Sequence, residues 1–281
     1  MQKSIKKYWA IFALPTMLAF TAAFIAPFIM GIYLSFCKFT TVTNTKFVGF
    51  DNYIRAFTQD KDFLNALIFT TLFTIVAIIT INVFAFILAM LLTKGLRGTN
   101  LFRTVFFMPN LIGGIVLGYI WQIMINGVLL HFGVDITYDA RFGFFGLVLL
   151  TNWQLIGYMM IIYIAGIQNI PGDLIEAAKI DGANGRQILK NVTIPMVMPS
   201  ITICTFLTLT NSFKLFDQIF ALTGGAPSRQ TATLALDIYN TFYGRNGWEG
   251  VGQAKAVVFF IIVAFIAFIQ LRLTRDKEVE N

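Results

Sequence analysis

Thr151, Gln154 and Tyr158 fall at i, i+3 and i+7 within an apolar run, and so share one face of a helix. Asn211, Lys214 and Gln218 repeat that spacing in the next apolar run. Polar side chains in such runs are costly in lipid and face a cavity or a partner. Amides, hydroxyls and an ammonium offer donors and acceptors together. Trp153, Tyr158, Phe213 and Phe216 add aromatic faces, and the combination suits a polyhydroxyl ligand. The candidate substrate-contact set is therefore Thr151, Trp153, Gln154, Tyr158, Asn211 and Lys214. At about 1.5 Å per residue, Asn211 lies roughly 18 Å from Pro199 and Gln154 roughly 15 Å from Phe144, so both stripes reach mid-run and can meet. The plainer reading is a set of hydrogen bonds between helices, each contributing about 1 kcal/mol or less. Lys214 and Asp217 stand at i, i+3, and an ion pair is the economical expectation for them. The alternative points Lys214 into a cavity, where it would prefer an anionic ligand.

Other chemistries are excluded by what the sequence lacks. There is no phosphate-cradling G-x-x-x-x-G-K-[ST], so the chain has no ATP site of that kind. Neither H-E-x-x-H nor G-x-S-x-G occurs, and His131 is the single histidine. No catalytic residue, metal ligand or cofactor is expected. Cys37 and Cys204 lie at different depths, which argues against a disulfide.

The elements that would carry these residues follow from composition. Of 281 residues 57% are hydrophobic and 12% charged, with mean hydropathy +0.73; a soluble domain is about 25% charged. This is the composition of a polytopic, all-α integral membrane protein. Six runs approach or exceed the roughly 20 residues a bilayer demands: Trp9–Phe36, Leu64–Thr93, Val105–Met124, Phe144–Ile167, Pro199–Leu222 and Ala256–Leu271, the last extensible back towards Gly252. The first is too long for a cleavable signal core and is expected to stay as a membrane helix. Pro109 should kink the third, and Gly114 and Gly118 form a small-xxx-small pair suited to close packing.

The net charge of +7 does not indicate nucleic acid, because the basic residues sit in short loops between apolar runs. Lys3, Lys6 and Lys7; Lys94, Arg97 and Arg103; Lys179, Arg186 and Lys190; and Arg272, Arg275 and Lys277 place three cations in each of four segments on one side. That bias predicts both termini in the cytoplasm, together with the loop 169–200. On the other side, 40–62 is a polar connector with Phe47, Phe50, Tyr53 and Phe57 as interfacial anchors. The chain reads as one membrane domain, 1–281, with its core at 64–272 and 1–63 as first helix and outer connector.

The loop 169–200, NIPGDLIEAAKIDGANGRQILKNVTIPMVMPS, is the long interior segment unlike membrane. Asp173 reads as a helix N-cap, Leu174–Ile180 as a short helix, Gly182 as a hinge, and Gly185–Val192 as a second helix. Helices this short are marginal in water unless docked. EAA, a glycine four residues after the second Ala, and Ile-Pro a dozen further on resemble the signature loop of permease subunits of binding-protein-dependent, ATP-driven importers. IPGDLIEAAKIDGA is similar to the carbohydrate branch of that family. FVGFDNYIRAF, LRGTNLFRTVFFMPNLIGGIV and LTGGAPSRQTATLALDIY carry the likeness along most of the chain, and match the first of the two permeases.

The resemblance implies a six-helix type I importer permease in the bacterial cell membrane, working as a subunit of an ABC-type sugar importer. Its implied partners are a second permease, two cytoplasmic ATPase subunits and an extracytoplasmic solute-binding protein that delivers a sugar. The ATPase would be met by Glu176, Ala177, Ala178, Asp181, Gly182 and Arg186. An anionic cargo such as a sugar acid or glycerol phosphate stays open. So does, from another class, an ion-coupled secondary transporter, although inverted repeats and several membrane carboxylates would then be expected.

Overall fold

The computed structural model describes residues 2–41, 43–95 and 97–275; Lys277, counted above among the cations, lies outside them. In chain order the elements are α1 (Gln2–Phe20), a π-helical stretch Thr21–Ile25, α2 (Ala26–Ser35), β1 (Cys37–Thr41), β2 (Asn44–Phe47), α3 (Asp51–Thr58) and α4 (Lys61–Leu92). There follow α5 (Thr99–Phe107), α6 (Gly114–Leu129), α7 (Ala140–Gln168), α8 (Gly172–Ile180) and α9 (Gly185–Ile188). The last are α10 (Ile194–Met196), α11 (Met198–Phe213), α12 (Asp217–Leu222), α13 (Leu234–Gly244) and α14 (Glu249–Arg275). Among the described residues five helices are long and apolar enough to cross a membrane. The count reaches six when Gly185–Met196 and Met198–Phe213, bent by 68°, form one span.

The chain divides into two compact units, one comprising the residues up to Phe63 with Ile238–Phe260, the other Leu64–Asp237 with the stretch from Ile261 onward. In the first, β1 and β2 pair antiparallel, Cys37 opposite Phe47 and Lys38 opposite Lys46. The Asn52 amide donates 2.9 Å bonds to the carbonyls of Ser35 and Cys37, satisfying acceptors where the helix gives way to the strand. Lys255 of α14 is fully buried, and its ammonium donates to Asp60 at 2.8 Å and to Thr241 at 2.7 Å. Arg245 joins Asp60 at 2.9 Å and Asp62 at 2.7 Å. A buried ammonium is tolerable only with acceptors at this range.

In the second unit Phe73, Ala77, Ile81, Ala85 and Ala89 recur every four residues on α4 and are all fully buried. The opposite face exposes Ile68, Leu72, Ile75, Ile79, Val83 and Ile87, an arrangement suited to lipid rather than water. α7 is the most enclosed of the long helices. Its Met159, Met160 and Tyr163 pack in one core with Leu117 of α6 and Cys204 of α11. Tyr163 Oη donates to Asn82 Oδ1 at 2.8 Å, and Asn82 Nδ2 reaches Thr208 at 3.4 Å.

Several expected boundaries need correction. The run expected to span Val105–Met124 is broken: α5 ends at Phe107, Met108–Leu111 forms a 3-10 turn, Ile112 is extended, and the spanning helix starts at Gly114. Proline cannot supply its N–H to the helix, and here the chain breaks rather than kinks. The run Pro199–Leu222 is two helices, α11 and α12, separated by Lys214–Phe216. The sixth begins at Glu249. The polar connector after the first helix holds a β-hairpin and α3, and α13 lies between the fifth and sixth runs. Both cysteines are free thiols, as expected.

Candidate functional site

The two helix breaks meet the middle of α7. Gln154 stands 14 residues from either end of that 29-residue helix, counting from Ala140 and from Gln168. A cavity of about 340 Å³ opens beside it. α7 contributes Thr151 and Gln154, α11 contributes Asn211 and Ser212, and the break contributes Lys214, Leu215 and Phe216. Asp217 and Gln218 enter from α12, and Asn110 from the 3-10 turn before α6. The Gln218 amide donates to Gln154 Oε1 at 2.9 Å, so the two stripes read from the sequence do meet.

Four of the six predicted contact residues line this cavity: Thr151, Gln154, Asn211 and Lys214. Thr151 spends its hydroxyl on the Leu147 carbonyl of its own helix, leaving its methyl and its lone pairs to the site. Trp153 is one step round the helix. It lies beside an apolar groove with Trp121, the ring centroids 5.8 Å apart. Tyr158 is not among the lining residues and packs near Phe107 at 6.4 Å. Asn110 was missed, and the signal for it was the proline beside it.

The expected Lys214–Asp217 ion pair is not formed among the described residues. The i, i+3 geometry exists only in a continuous helix, and here Lys214 is the C-cap of α11 while Asp217 opens α12. Thr233 pins the break by donating its hydroxyl to the Leu215 carbonyl at 2.8 Å. Each charge sits at a helix end whose dipole favours its sign. Both side chains are exposed to the cavity.

The small residues of α6 seat α12. A Cβ on Gly118 would lie 2.6 Å from the Gln218 carbonyl and 2.7 Å from Ala221 Cβ, and one on Gly114 would lie 2.7 Å from Asp217 Cβ. The expected close approach is therefore real, and it fixes the side chains α12 brings to the cavity. Gly157 of α7 does the same for the other break, where a Cβ would strike the Phe106 carbonyl.

The second candidate site is the α8–α9 loop. α8 starts at Gly172 with Pro171 as N-cap, so Asp173 sits in the first turn and does not cap with its side chain. Gly182 has φ +77°. Its N–H bonds the Lys179 carbonyl and the Ala183 N–H bonds the Ala178 carbonyl at 2.9 Å, a Schellman termination. Asn184 then opens α9 in a capping box with Gln187. The second helix, expected to end at Val192, instead continues beyond α9 through a π-helical turn into α10. Glu176, Ala177, Asp181, Gly182 and Arg186 are exposed and Ala178 half-buried. No residue of α8 is buried, and Ile180 is 86% exposed.

Comparison with known proteins bears on the family and the fold. The family described as binding-protein-dependent transport system inner membrane component matches residues 82–278. A probable starch degradation products transport system permease of Thermoanaerobacterium thermosulfurigenes is 44% identical over 97% of this chain and 95% of that protein. A multiple sugar-binding transport system permease of Streptococcus mutans is 31% identical, covering 99% of both. The crystal structure of a bacterial ABC transporter involved in the import of the acidic polysaccharide alginate superposes with TM-score 0.81 over 98% of each chain, at 20% identity. The fold is that of a type I ABC importer permease, an all-α membrane architecture, here with one small β-hairpin. The chain belongs to the binding-protein-dependent transport system inner membrane component family.

Proposed function

We propose that this chain is the first permease subunit of an ATP-driven carbohydrate importer, forming the membrane pathway with a second permease. A solute-binding protein delivers the sugar from outside, and two cytoplasmic ATPase subunits engage the α8–α9 loop through Glu176, Ala177, Ala178, Asp181, Gly182 and Arg186. Both termini lie in the cytoplasm, in keeping with the Lys and Arg distribution. The observation that carries the reading is the polar cavity at mid-helix on α7. Four amides, Asn110, Gln154, Asn211 and Gln218, surround it, with Phe216 as an apolar face. That lining matches the alternating hydroxyls and C–H faces of a sugar. The sugar-related names of the relatives at 44% and 31% identity support it. A second reading, an anionic sugar derivative, is favoured by the unpaired Lys214 in the same cavity.

The test is to purify the complex with its binding protein and identify the bound ligand by mass spectrometry, then measure ATP hydrolysis with and without it. A saccharide that raises hydrolysis supports the reading. An amino acid, peptide or inorganic ion in that role refutes it.

A further inference from the structure

We propose that Asp217, set against Lys214 in the same cavity, fixes its charge preference and tunes it to net-neutral saccharides. This rests on the carbohydrate reading above and deepens it. Lys214 and Asp217 are the two charged side chains that line the cavity, one cation and one anion, and the remaining polar lining groups are neutral amides and hydroxyls. Neither charge is cancelled by the other within the protein, because the break between α11 and α12 separates them.

Their backbone is anchored on both sides. Leu215, between them, is held through its carbonyl by Thr233, and Asp217 Cβ rests against Gly114, where an added Cβ would come within 2.7 Å. A sphere of 340 Å³ is about 9 Å across, so any charged group inside it lies within roughly one Debye length of both side chains. An anion drawn to Lys214 therefore also meets Asp217. A neutral polyol satisfies both, because its hydroxyls donate to the carboxylate and accept from the ammonium. Lys214 alone would have selected an acid; the pair selects against one.

The test uses the purified complex in lipid nanodiscs without binding protein, so that delivery does not impose its own selectivity. The probes are a radiolabelled α-1,4-linked glucose trisaccharide and the same trisaccharide with one terminal unit oxidised to a uronate. Their affinity ratio is read for wild type, Asp217→Asn and Lys214→Gln, and yield differences cancel within each ratio. Wild type should prefer the neutral probe by about tenfold or more, because the uronate sheds its hydration while the attraction of Lys214 and the repulsion of Asp217 offset each other. Asp217→Asn should close that gap by gaining affinity for the uronate, and Lys214→Gln should widen it. If Asp217→Asn does not assemble, the widening in Lys214→Gln still decides. An unchanged ratio in both variants, or a wild type that prefers the uronate, overturns the proposal while leaving the carbohydrate reading standing. Binding of neither probe overturns the proposal and leaves the carbohydrate reading to the ligand identification above.

Discussion

Replacing Gly182 with valine should uncouple the protein from its ATPase without disturbing the membrane core. Gly182 holds φ +77°, a left-handed conformation that costs an L-residue roughly 1–2 kcal/mol. Nothing lies within 4 Å of an added Cβ there, so packing within the chain adds nothing and the backbone strain is the whole intrachain cost. The Schellman bonds of Gly182 and Ala183 depend on that conformation, and α8 has no buried residue to resist its loss. A penalty of 1–2 kcal/mol corresponds to about a 5–30-fold weaker hold on the ATPase. The assay is retention of the ATPase on purified membranes together with ligand-stimulated hydrolysis. Gly182→Asn is the matched control, because asparagine visits the left-handed region readily, and it should retain most of both. If valine behaves like wild type, the loop does not need its left-handed turn and the reasoning fails.

Three further outcomes are expected. Glu176→Lys reverses an exposed charge on the same loop, and should release the ATPase while the thermal midpoint of the purified permease stays unchanged. Gly118→Leu drives atoms into the Gln218 carbonyl and Ala221, an overpacking that costs typically 1–3 kcal/mol, and should lower that midpoint and weaken saccharide binding together. Burial pushes the Asp60 carboxyl up, but the Lys255 hydrogen bond and charge, then Arg245, outweigh it and hold it below the usual carboxylate range. A depressed carboxylate contributes stability above its unfolded value, about 3.9, and loses it as pH falls through the folded one. Asp60→Asn, which removes the carboxylate bonded to both Lys255 and Arg245, should therefore destabilise strongly at pH 7, by about 3–5 kcal/mol. The gap should narrow below pH 4 in thermal unfolding.

Much of this was legible because lipid simplifies the pattern. Apolar runs long enough to span gave the long helices, and charge-rich 169–200 gave α8, its glycine hinge and the start of α9. The polar stripes on α7 and α11 gave Thr151, Gln154, Asn211 and Lys214. What escaped depends on contacts far apart in the chain. The break at Lys214–Phe216 contains neither glycine nor proline; it is held by Thr233, 18 residues beyond Leu215. Lys255 hides in an apolar run because its acceptor Asp60 is 195 residues away. Trp153 was grouped with Gln154 by adjacency, although neighbours on a helix point in different directions. The hairpin Cys37–Phe47 is too short to show a strand period.

The most direct test of the central claim is uptake into proteoliposomes holding this chain, its partner permease and the ATPases, with binding protein on the substrate side. The account predicts saccharide accumulation that requires ATP on the ATPase side and persists when ionophores abolish all ion gradients. It also predicts that replacing both Gln154 and Gln218 with alanine cuts that uptake while leaving basal ATP hydrolysis measurable. Uptake that follows an imposed proton or sodium gradient and needs no ATP would contradict it.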